Sequence, residues 1–325
     1  MRTSLFLYCI ILCACVSSAT KEAVPKNADI DDTLVNISPD PSKGFNFSYY
    51  LYIPGSLKDE PNTVLYVEPN NTGRGSDDLA VHDKDARKFI EKSYSHRIAM
   101  RLKSPMLVPV FPRLSSRWQE YTHYLNRRTL KINEGPLKRI DLQLAAMIED
   151  ARRRLAESRI EVAPRIFMNG FSSSAGFTLR FTALHPNLVL ATAAGGINAL
   201  PILPLKNWQG VKLPYPVGVG DLQELTGTEF DSKSFLSIPQ KLYMGALDSN
   251  DTVPFRDAWG EDEADFIRRN FGEKMMPDRW EKIQKIYKSA DANVTFNTYS
   301  GVGHKVTPEI EDDIFQFFSS HRQIK

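Results

Sequence analysis

The sequence predicts an α/β fold in which a mostly parallel central sheet is flanked by helices. Apolar runs of strand length alternate along the chain with segments whose apolar residues recur at helical spacing. Several of the predicted strands end in short polar or glycine-containing turns, and a parallel sheet collects such ends at one edge. The chain has 325 residues, of which 42% are hydrophobic, so a single domain of this class can bury a large core.

The individual elements follow from the same patterns. Residues 20–44 are polar and interrupted by three prolines, and we expect them to form a loose leader before a domain at 45–325. Between residues 139 and 155 the apolar positions recur every three or four residues, which predicts an amphipathic helix. Strands are predicted at residues 45–53, 63–67, 106–111, 165–169, 188–194, 240–245 and 293–299.

Residues 197–239 do not follow the alternation of strands and helices. Prolines and aromatic residues interleave throughout this segment, at Pro201, Pro204, Trp208, Pro214, Tyr215, Pro216, Phe230 and Phe235. Such a segment is either a lid over an apolar pocket or a buried excursion of the chain, and the sequence leaves both open. We expect a lid-like insertion in front of the 240–245 strand.

The turn after the 165–169 strand carries the first candidate functional residue. The sequence Gly170-Phe171-Ser172-Ser173-Ser174 leads from that strand into an apolar helix, and a serine at such a junction is held in a strained conformation with its hydroxyl clear of the sheet. The close approach of strand and helix needs small residues two positions before and after this serine. Gly170 and Ser174 meet the requirement around Ser172, although glycine is more usual at the second position. Ser173 and Ser174 are alternative nucleophiles, but choosing Ser174 shifts the strand end.

A serine hydroxyl becomes a nucleophile only when a base takes its proton and an acid orients that base. His304 follows the 293–299 strand, and Asp248 and Asp251 follow the 240–245 strand. The chain order serine, acid, histidine is the order found with this type of turn. Asp248 is the preferred acid because it lies three residues beyond the strand end at Gly245, whereas Asp251 is better placed to cap the next segment.

Charge and composition exclude several other functions. The formal net charge is +2, from 41 basic and 39 acidic residues, which argues against nucleic acid or an anionic membrane as the main partner. His82, Asp83 and Asp85 lie close together, but at the start of a predicted helix, where solvated acids are common. No metal-ligand spacing and no glycine-rich phosphate loop appear, so the sequence predicts no metal and no other cofactor.

The first 19 residues have the features of an export signal. A positive charge at position 2 precedes an apolar core at residues 5–16, which is too short to span a bilayer, and small residues at 17–19 form a cleavage site. We therefore expect a secreted or periplasmic protein.

All three cysteines, Cys9, Cys13 and Cys15, lie inside this segment, so a chain cleaved after residue 19 has no disulfide bond. Residues 12–15 also resemble the lipid-attachment box of bacterial lipoproteins. The alternative localisation is therefore a membrane-anchored lipoprotein acylated at Cys15.

Three motifs resemble those of the α/β-hydrolase superfamily, and within it the secreted serine esterases and polyester depolymerase-like hydrolases. They are residues 172–186, Gly245-Ala246-Leu247-Asp248 and Gly301-Val302-Gly303-His304, and the likeness extends over about residues 45–320 except for the 197–239 insertion. Two features depart from the family pattern. Ser174 replaces the usual glycine, and Asn70-Asn71-Thr72-Gly73 stands where lipases often carry a His-Gly pair.

This resemblance implies a Ser172–Asp248–His304 triad that cleaves carboxylic esters of small molecules or polymers through an acyl-enzyme. It also implies that the backbone N–H groups of Ser173 and Asn71 stabilise the tetrahedral oxyanion. The alternatives are a catalytically silent hydrolase fold that serves as a binding protein, and a peptidase of the same fold. The peptidase is disfavoured because the sequence shows no propeller or large cap domain.

His123 lies in the segment after the 106–111 strand. We expect a surface histidine there, and contact with a substrate is the alternative.

Overall fold

A computed structural model describes residues 32–59, 63–70 and 74–322 of the chain. The predicted export signal, its three cysteines and Asn71 lie outside these residues. The strands, in chain order, are β1 (Thr33–Ile37), β2 (Tyr49–Ile53), β3 (Tyr66–Val67), β4 (Met106–Pro109), β5 (Ile166–Phe171), β6 (Val189–Gly195), β7 (Asn207–Trp208), β8 (Val211–Lys212), β9 (Gln240–Gly245) and β10 (Val294–Tyr299). The α-helices are α1 (Leu79–Lys92), α2 (Tyr94–Arg101), α3 (Arg127–Leu130), α4 (Ile140–Glu157), α5 (Ser173–Leu184), α6 (Leu222–Thr226), α7 (Ser232–Ser237), α8 (Glu261–Phe271), α9 (Trp280–Ser289) and α10 (Pro308–Ser320).

Eight of the strands form one mixed sheet in the order β1-β2-β4-β3-β5-β6-β9-β10, and β7 and β8 form a separate hairpin. β2 is antiparallel to both of its neighbours, and the strands from β4 to β10 in this order run parallel. The predicted mostly parallel α/β sheet is therefore confirmed. Parallel strands bring their carboxyl ends to one edge, and this edge carries the loops that follow β3, β5, β9 and β10.

Helices cover both faces of the sheet, because its central strands are apolar on both sides. On one face, α4 and α5 pack Leu144 and Phe177 against Leu107 and Met168 of the strands. On the other face, α1, α2 and α10 cover the strands, with buried side chains such as Ile314 of α10. α5 is the central helix, and the structure buries eleven of its twelve residues.

The predicted loose leader is wrong for residues 33–37. This segment forms β1, which pairs antiparallel with β2 over five residues. Alternate apolar side chains explain the pairing, since Leu34 packs with the cluster on one side of the sheet and Val35 with the cluster on the other. The polar and proline-rich composition of the surrounding residues concealed this short alternation.

The structure does not support a lid at residues 197–239. Residues 197–204 and most of residues 213–222 form a buried excursion of the chain, which was one of the two alternatives, whereas the β7–β8 hairpin and most of residues 223–233 lie at the surface. Ile202, Leu203, Leu213 and Tyr215 are all fully buried in one apolar cluster with residues of α8 and α9. The Tyr287 hydroxyl of α9 donates a 2.6 Å hydrogen bond to the Ile202 carbonyl and ties the segment down. None of the helices within the described ranges has the length and apolar character needed to cross a membrane.

Candidate active site

Ser172 lies at the junction between β5 and α5, in a backbone conformation that non-glycine residues rarely adopt. Its φ is 62° and its ψ is −124°, and α5 begins at the next residue. Its backbone N–H donates to the Gly195 carbonyl at the end of β6 over 2.9 Å. Strain of this kind persists only where the surrounding structure holds it, and it presents the serine side chain above the sheet.

Gly170 allows the strand and the helix to approach closely. A Cβ atom on Gly170 would lie 2.3 Å from the Ser174 carbonyl oxygen, so a larger residue would force the backbones apart. The Ser174 hydroxyl braces the same turn, since it accepts from the Phe171 N–H and donates to the Phe171 carbonyl, both over 2.9 Å. The serine in place of the usual glycine therefore adds two hydrogen bonds inside the turn, which we call the elbow (residues 170–174).

Asp248 and His304 are hydrogen-bonded to each other. His304 Nδ1 lies 2.9 Å from Asp248 Oδ2, and the aspartate is 4% exposed. The second oxygen, Asp248 Oδ1, accepts from the Asn250 N–H over 3.0 Å, which fixes the carboxylate in its loop. A buried carboxylate on Nδ1 holds an imidazole in one orientation and favours the tautomer whose proton is on Nδ1.

The carboxylate of Asp251 is directed elsewhere. It forms an ion pair with the fully buried guanidinium of Arg279, and its other oxygen accepts from the Val253 N–H over 3.0 Å. The loop after β9 therefore holds two aspartates with separate partners, and Asp248 is the one that contacts His304.

The imidazole of His304 lies beside the elbow. Its ring centroid is 4.7 Å from that of Phe171, the residue before Ser172. A Cβ atom built on Gly196, which directly follows β6, would lie 3.1 Å from His304 Cε1. The structure thus places Ser172, Asp248 and His304 at the carboxyl edges of β5, β9 and β10.

Asn250 is a site residue that sequence reasoning missed. Its side-chain Nδ2 lies 3.2 Å from His304 Nε2, the ring nitrogen that does not face Asp248. An amide N–H donating here matches an Nε2 that carries a lone pair. Its position two residues after a candidate acid was the signal that could have identified it.

Ser173 occupies the first position of α5, where a backbone N–H has no partner within the helix and can bind an oxygen that carries negative charge. Its side chain is buried, and its hydroxyl lies 2.7 Å from the Tyr121 hydroxyl. Tyr121 was not singled out from the sequence. The other predicted oxyanion residue, Asn71, lies outside the described residues.

His123 is not a surface histidine, so that expectation is wrong. The residue is 1% exposed, and its Nε2 contacts the Phe111 carbonyl at 2.7 Å and the Asn70 side chain at 3.3 Å. Burial lowers the pKa of His123 from 6.5 to about 3, so its ring is neutral at physiological pH. The loop after β4 folds back onto the sheet edge, and this placement depends on contacts that are distant in sequence.

A second buried polar group lies just below the elbow. Glu68, which directly follows β3, is 1% exposed, and it accepts hydrogen bonds from Tyr94, Ser95 and Asn169. Burial raises the pKa of Glu68 from 4.5 to about 7, against the opposing effect of these hydrogen bonds. Within the described ranges, no three His, Cys, Asp or Glu side chains lie together in an arrangement that could hold a metal ion.

Comparisons with known proteins address the fold. No protein-family model and no curated protein sequence matches this chain. Among solved structures, a poly(3-hydroxybutyrate) depolymerase from Bordetella parapertussis is similar with a TM-score of 0.56 at 15% identity, and the likeness covers 91% of each chain.

Two further solved structures are similar over most of their length. Poly(aspartic acid) hydrolase-1 from Sphingomonas sp. KT-1 has a TM-score of 0.57 at 15% identity, covering 90% of this chain and 98% of that one. An S-formylglutathione hydrolase from Agrobacterium tumefaciens has a TM-score of 0.50 at 14% identity, covering 90% and 95%. At such identities the likeness bears on the fold alone, and together with the strand order and the elbow it shows that this chain has the α/β-hydrolase fold.

Proposed function

We propose that this protein is a serine hydrolase that cleaves carboxylic esters through Ser172, His304 and Asp248. The observation that carries the proposal is the buried Asp248 carboxylate on His304 Nδ1, with the imidazole lying beside a serine held at a strained elbow. These are the three parts that nucleophilic catalysis by a hydroxyl requires.

The proposed reaction proceeds in two halves. His304 Nε2 takes the proton of the Ser172 hydroxyl as Oγ attacks the ester carbonyl carbon, and the carbonyl oxygen becomes an oxyanion that accepts from the Ser173 N–H. Collapse of this intermediate breaks the ester C–O bond, and the alcohol leaves with the proton held on His304. A water molecule then gives a proton to His304 and attacks the acyl-enzyme, which releases the carboxylic acid and restores Ser172.

Asn250 has to release His304 Nε2 during this cycle. Its amide occupies the lone pair that the Ser172 proton needs. A hydrogen bond of this kind contributes only about 1 kcal/mol net, so Ser172 can displace it when a substrate arrives.

We infer an extended substrate from a groove formed by the loop that carries Tyr121, whose hydroxyl contacts that of Ser173. The loop that carries Tyr121 also lines an open groove of about 410 Å³, whose residues include Arg117, Trp118 and Lys131. The names of two similar structures specify polymer hydrolases, and poly(3-hydroxybutyrate), which is a polyester, belongs among the substrates to be tested.

Replacing Ser172 with alanine tests the proposed nucleophile. With p-nitrophenyl esters of increasing acyl length, we expect Ser172→Ala to reduce turnover by about 10⁶, because triad residues act as a unit. The control is Ser174→Ala, which removes the brace to Phe171 but no reacting group, and should cost less than about tenfold.

Covalent labelling separates the proposal from its alternatives. A fluorophosphonate should modify the wild-type chain at Ser172, as mapped by peptide mass spectrometry. No labelling together with no ester turnover would identify a catalytically silent binding protein, and a label on Ser173 or Ser174 would move the nucleophile.

A further inference from the structure

Glu68 and Asn169 form a side-chain pair between β3 and β5. Tyr66 of β3 is in register with Phe167 of β5, and Val67 is in register with Met168. Glu68 and Asn169 are the next residues along these two parallel strands, and Asn169 Nδ2 donates to Glu68 Oε2 over 2.5 Å. The contact therefore links the carboxyl end of β3 to β5 two residues before β5 ends.

The pair is held from a third side by α2. Ser95 donates to Glu68 Oε2, and the Tyr94 hydroxyl lies 3.2 Å from Glu68 Oε1. Asn169 Nδ2 is also 2.9 Å from the Tyr94 hydroxyl. All four residues are buried or half-buried, so the glutamate has protein groups, not bulk water, as its partners.

Asn169 is connected directly to the elbow. It precedes Gly170 and lies three residues before Ser172. Its carbonyl accepts from Thr178 Oγ1 over 2.9 Å, so its backbone is fixed by α5 while its side chain is fixed by Glu68. A shift of Asn169 would move the strained residues that follow it, because Gly170 has no space to absorb the change.

We propose that Glu68 is a positioning residue that holds the Ser172 elbow in place through Asn169. The inference rests on the proposed function, since it assigns a role in the same reaction. Stability alone does not account for this pair, because buried polar or charged pairs can often be replaced by apolar residues without loss of stability. A fixed donor and acceptor, by contrast, allow only one relative placement of the β3 and β5 ends.

The test uses one variant that removes the Glu68–Asn169 hydrogen bond and a second that exchanges its donor and acceptor. Asn169→Leu has a similar size but no donor, and we expect kcat for p-nitrophenyl butyrate to fall by about 10- to 100-fold, because misplacing a reacting group by about 1 Å costs that much. KM should change by less than about threefold, since the elbow contributes mainly to the transition state. The double variant Glu68→Gln/Asn169→Asp exchanges donor and acceptor and should recover kcat to within about threefold of the wild type.

Asp150→Asn is the matched control for a general loss of stability. Asp150 is another buried carboxylate with several partners, among them Tyr49, Arg153 and Arg154, and it lies on α4 away from the elbow. This variant should unfold more easily, with kcat within about twofold of the wild type at a temperature below every melting transition.

Three results would overturn the inference: an Asn169→Leu variant with unchanged kcat, an equal loss of kcat in Asp150→Asn, or a double variant that regains stability but not kcat. A wild-type chain that turns over no ester contradicts the proposed function instead. The inference is then decided by the rate at which a fluorophosphonate labels Ser172, which should fall in Asn169→Leu and recover in the double variant.

Discussion

At the scale of single residues, Asp248 and Asp251 differ in their partners although they share one loop. Asp248 binds His304, whereas Asp251 binds the buried guanidinium of Arg279. Replacing the Asp248 carboxylate with an amide should therefore impair the reaction. The same change at Asp251 should lower the stability of the fold.

We expect Asp248→Asn to reduce turnover at least a hundredfold while the melting temperature stays close to that of the wild type. An amide in this position stabilises the wrong imidazole tautomer, an effect of about 10⁴ in serine proteases. Asp251→Asn should lower the melting temperature, because Arg279 loses its counter-charge, but should cost less than about tenfold in turnover. Ester kinetics and thermal unfolding of both variants measure this, and the reverse ranking of turnover would make Asp251 the acid.

Glu68 predicts a pH dependence of stability at the same scale. Its carboxyl has a pKa near 4.5 when unfolded and about 7 in the fold, so between these values the native state binds the additional proton. The contribution of Glu68 to the free energy of unfolding is largest below pH 4.5, declines as the pH rises, and is lost above about pH 7. Over this range the free energy of unfolding changes by about 3 kcal/mol.

Chemical denaturation of the wild type and Glu68→Gln at pH 5 and pH 8 measures this contribution. The free energy of unfolding of Glu68→Gln relative to that of the wild type should be higher at pH 8 than at pH 5. The wild type loses the Glu68 contribution over this range, whereas glutamine does not titrate. His123 acts with the opposite sign, because its lowered pKa removes stability as the pH falls below 6.5, but it is present in both proteins and cancels from the difference. A difference that is the same at both pH values would contradict the raised pKa of Glu68.

At the scale of elements, the β5–elbow–α5 unit depends on close contact between a strand and a helix. Gly170 packs against the first turn of α5, and Gly176 packs against the ring of Tyr124, where a Cβ atom would lie 2.2 Å from the ring. The contacts at Gly170 and Gly176 therefore constrain the beginning of α5. This close packing explains how the strained backbone conformation of Ser172 is held.

Gly170→Ala tests this unit. The new methyl group would overlap the Ser174 carbonyl, so the elbow has to open, and we expect at least a hundredfold loss of turnover and a lower melting temperature. The control is Gly260→Ala at the start of α8, where the nearest atom to an added Cβ lies 3.4 Å away, and there both quantities should change little. A Gly170→Ala variant with wild-type kinetics would show that the close approach is not required.

At the scale of the whole molecule, the sheet brings residues that are far apart in sequence to one edge. Glu68, Ser172, Asp248 and His304 follow four different strands, and β3, β5, β6, β9 and β10 lie side by side in the order that makes their loops neighbours. The export signal and the lipid-anchor alternative remain predictions, because they concern residues outside the described part of the chain.

The sequence by itself determined the class of sheet, the central strands and helices, and the candidates Ser172, Asp248 and His304. These features are local, since apolar periodicity and small residues around a serine are written within short stretches of the chain. The tertiary structure alone decided which aspartate contacts His304, that Asn250 binds its other nitrogen, and that His123 and Glu68 are buried. It also decided that residues 33–37 form an edge strand and that residues 197–204 and most of residues 213–222 pack into the core. The physical reason is that burial and hydrogen-bond partners depend on segments tens of residues apart, which the periodicity of a single segment does not encode.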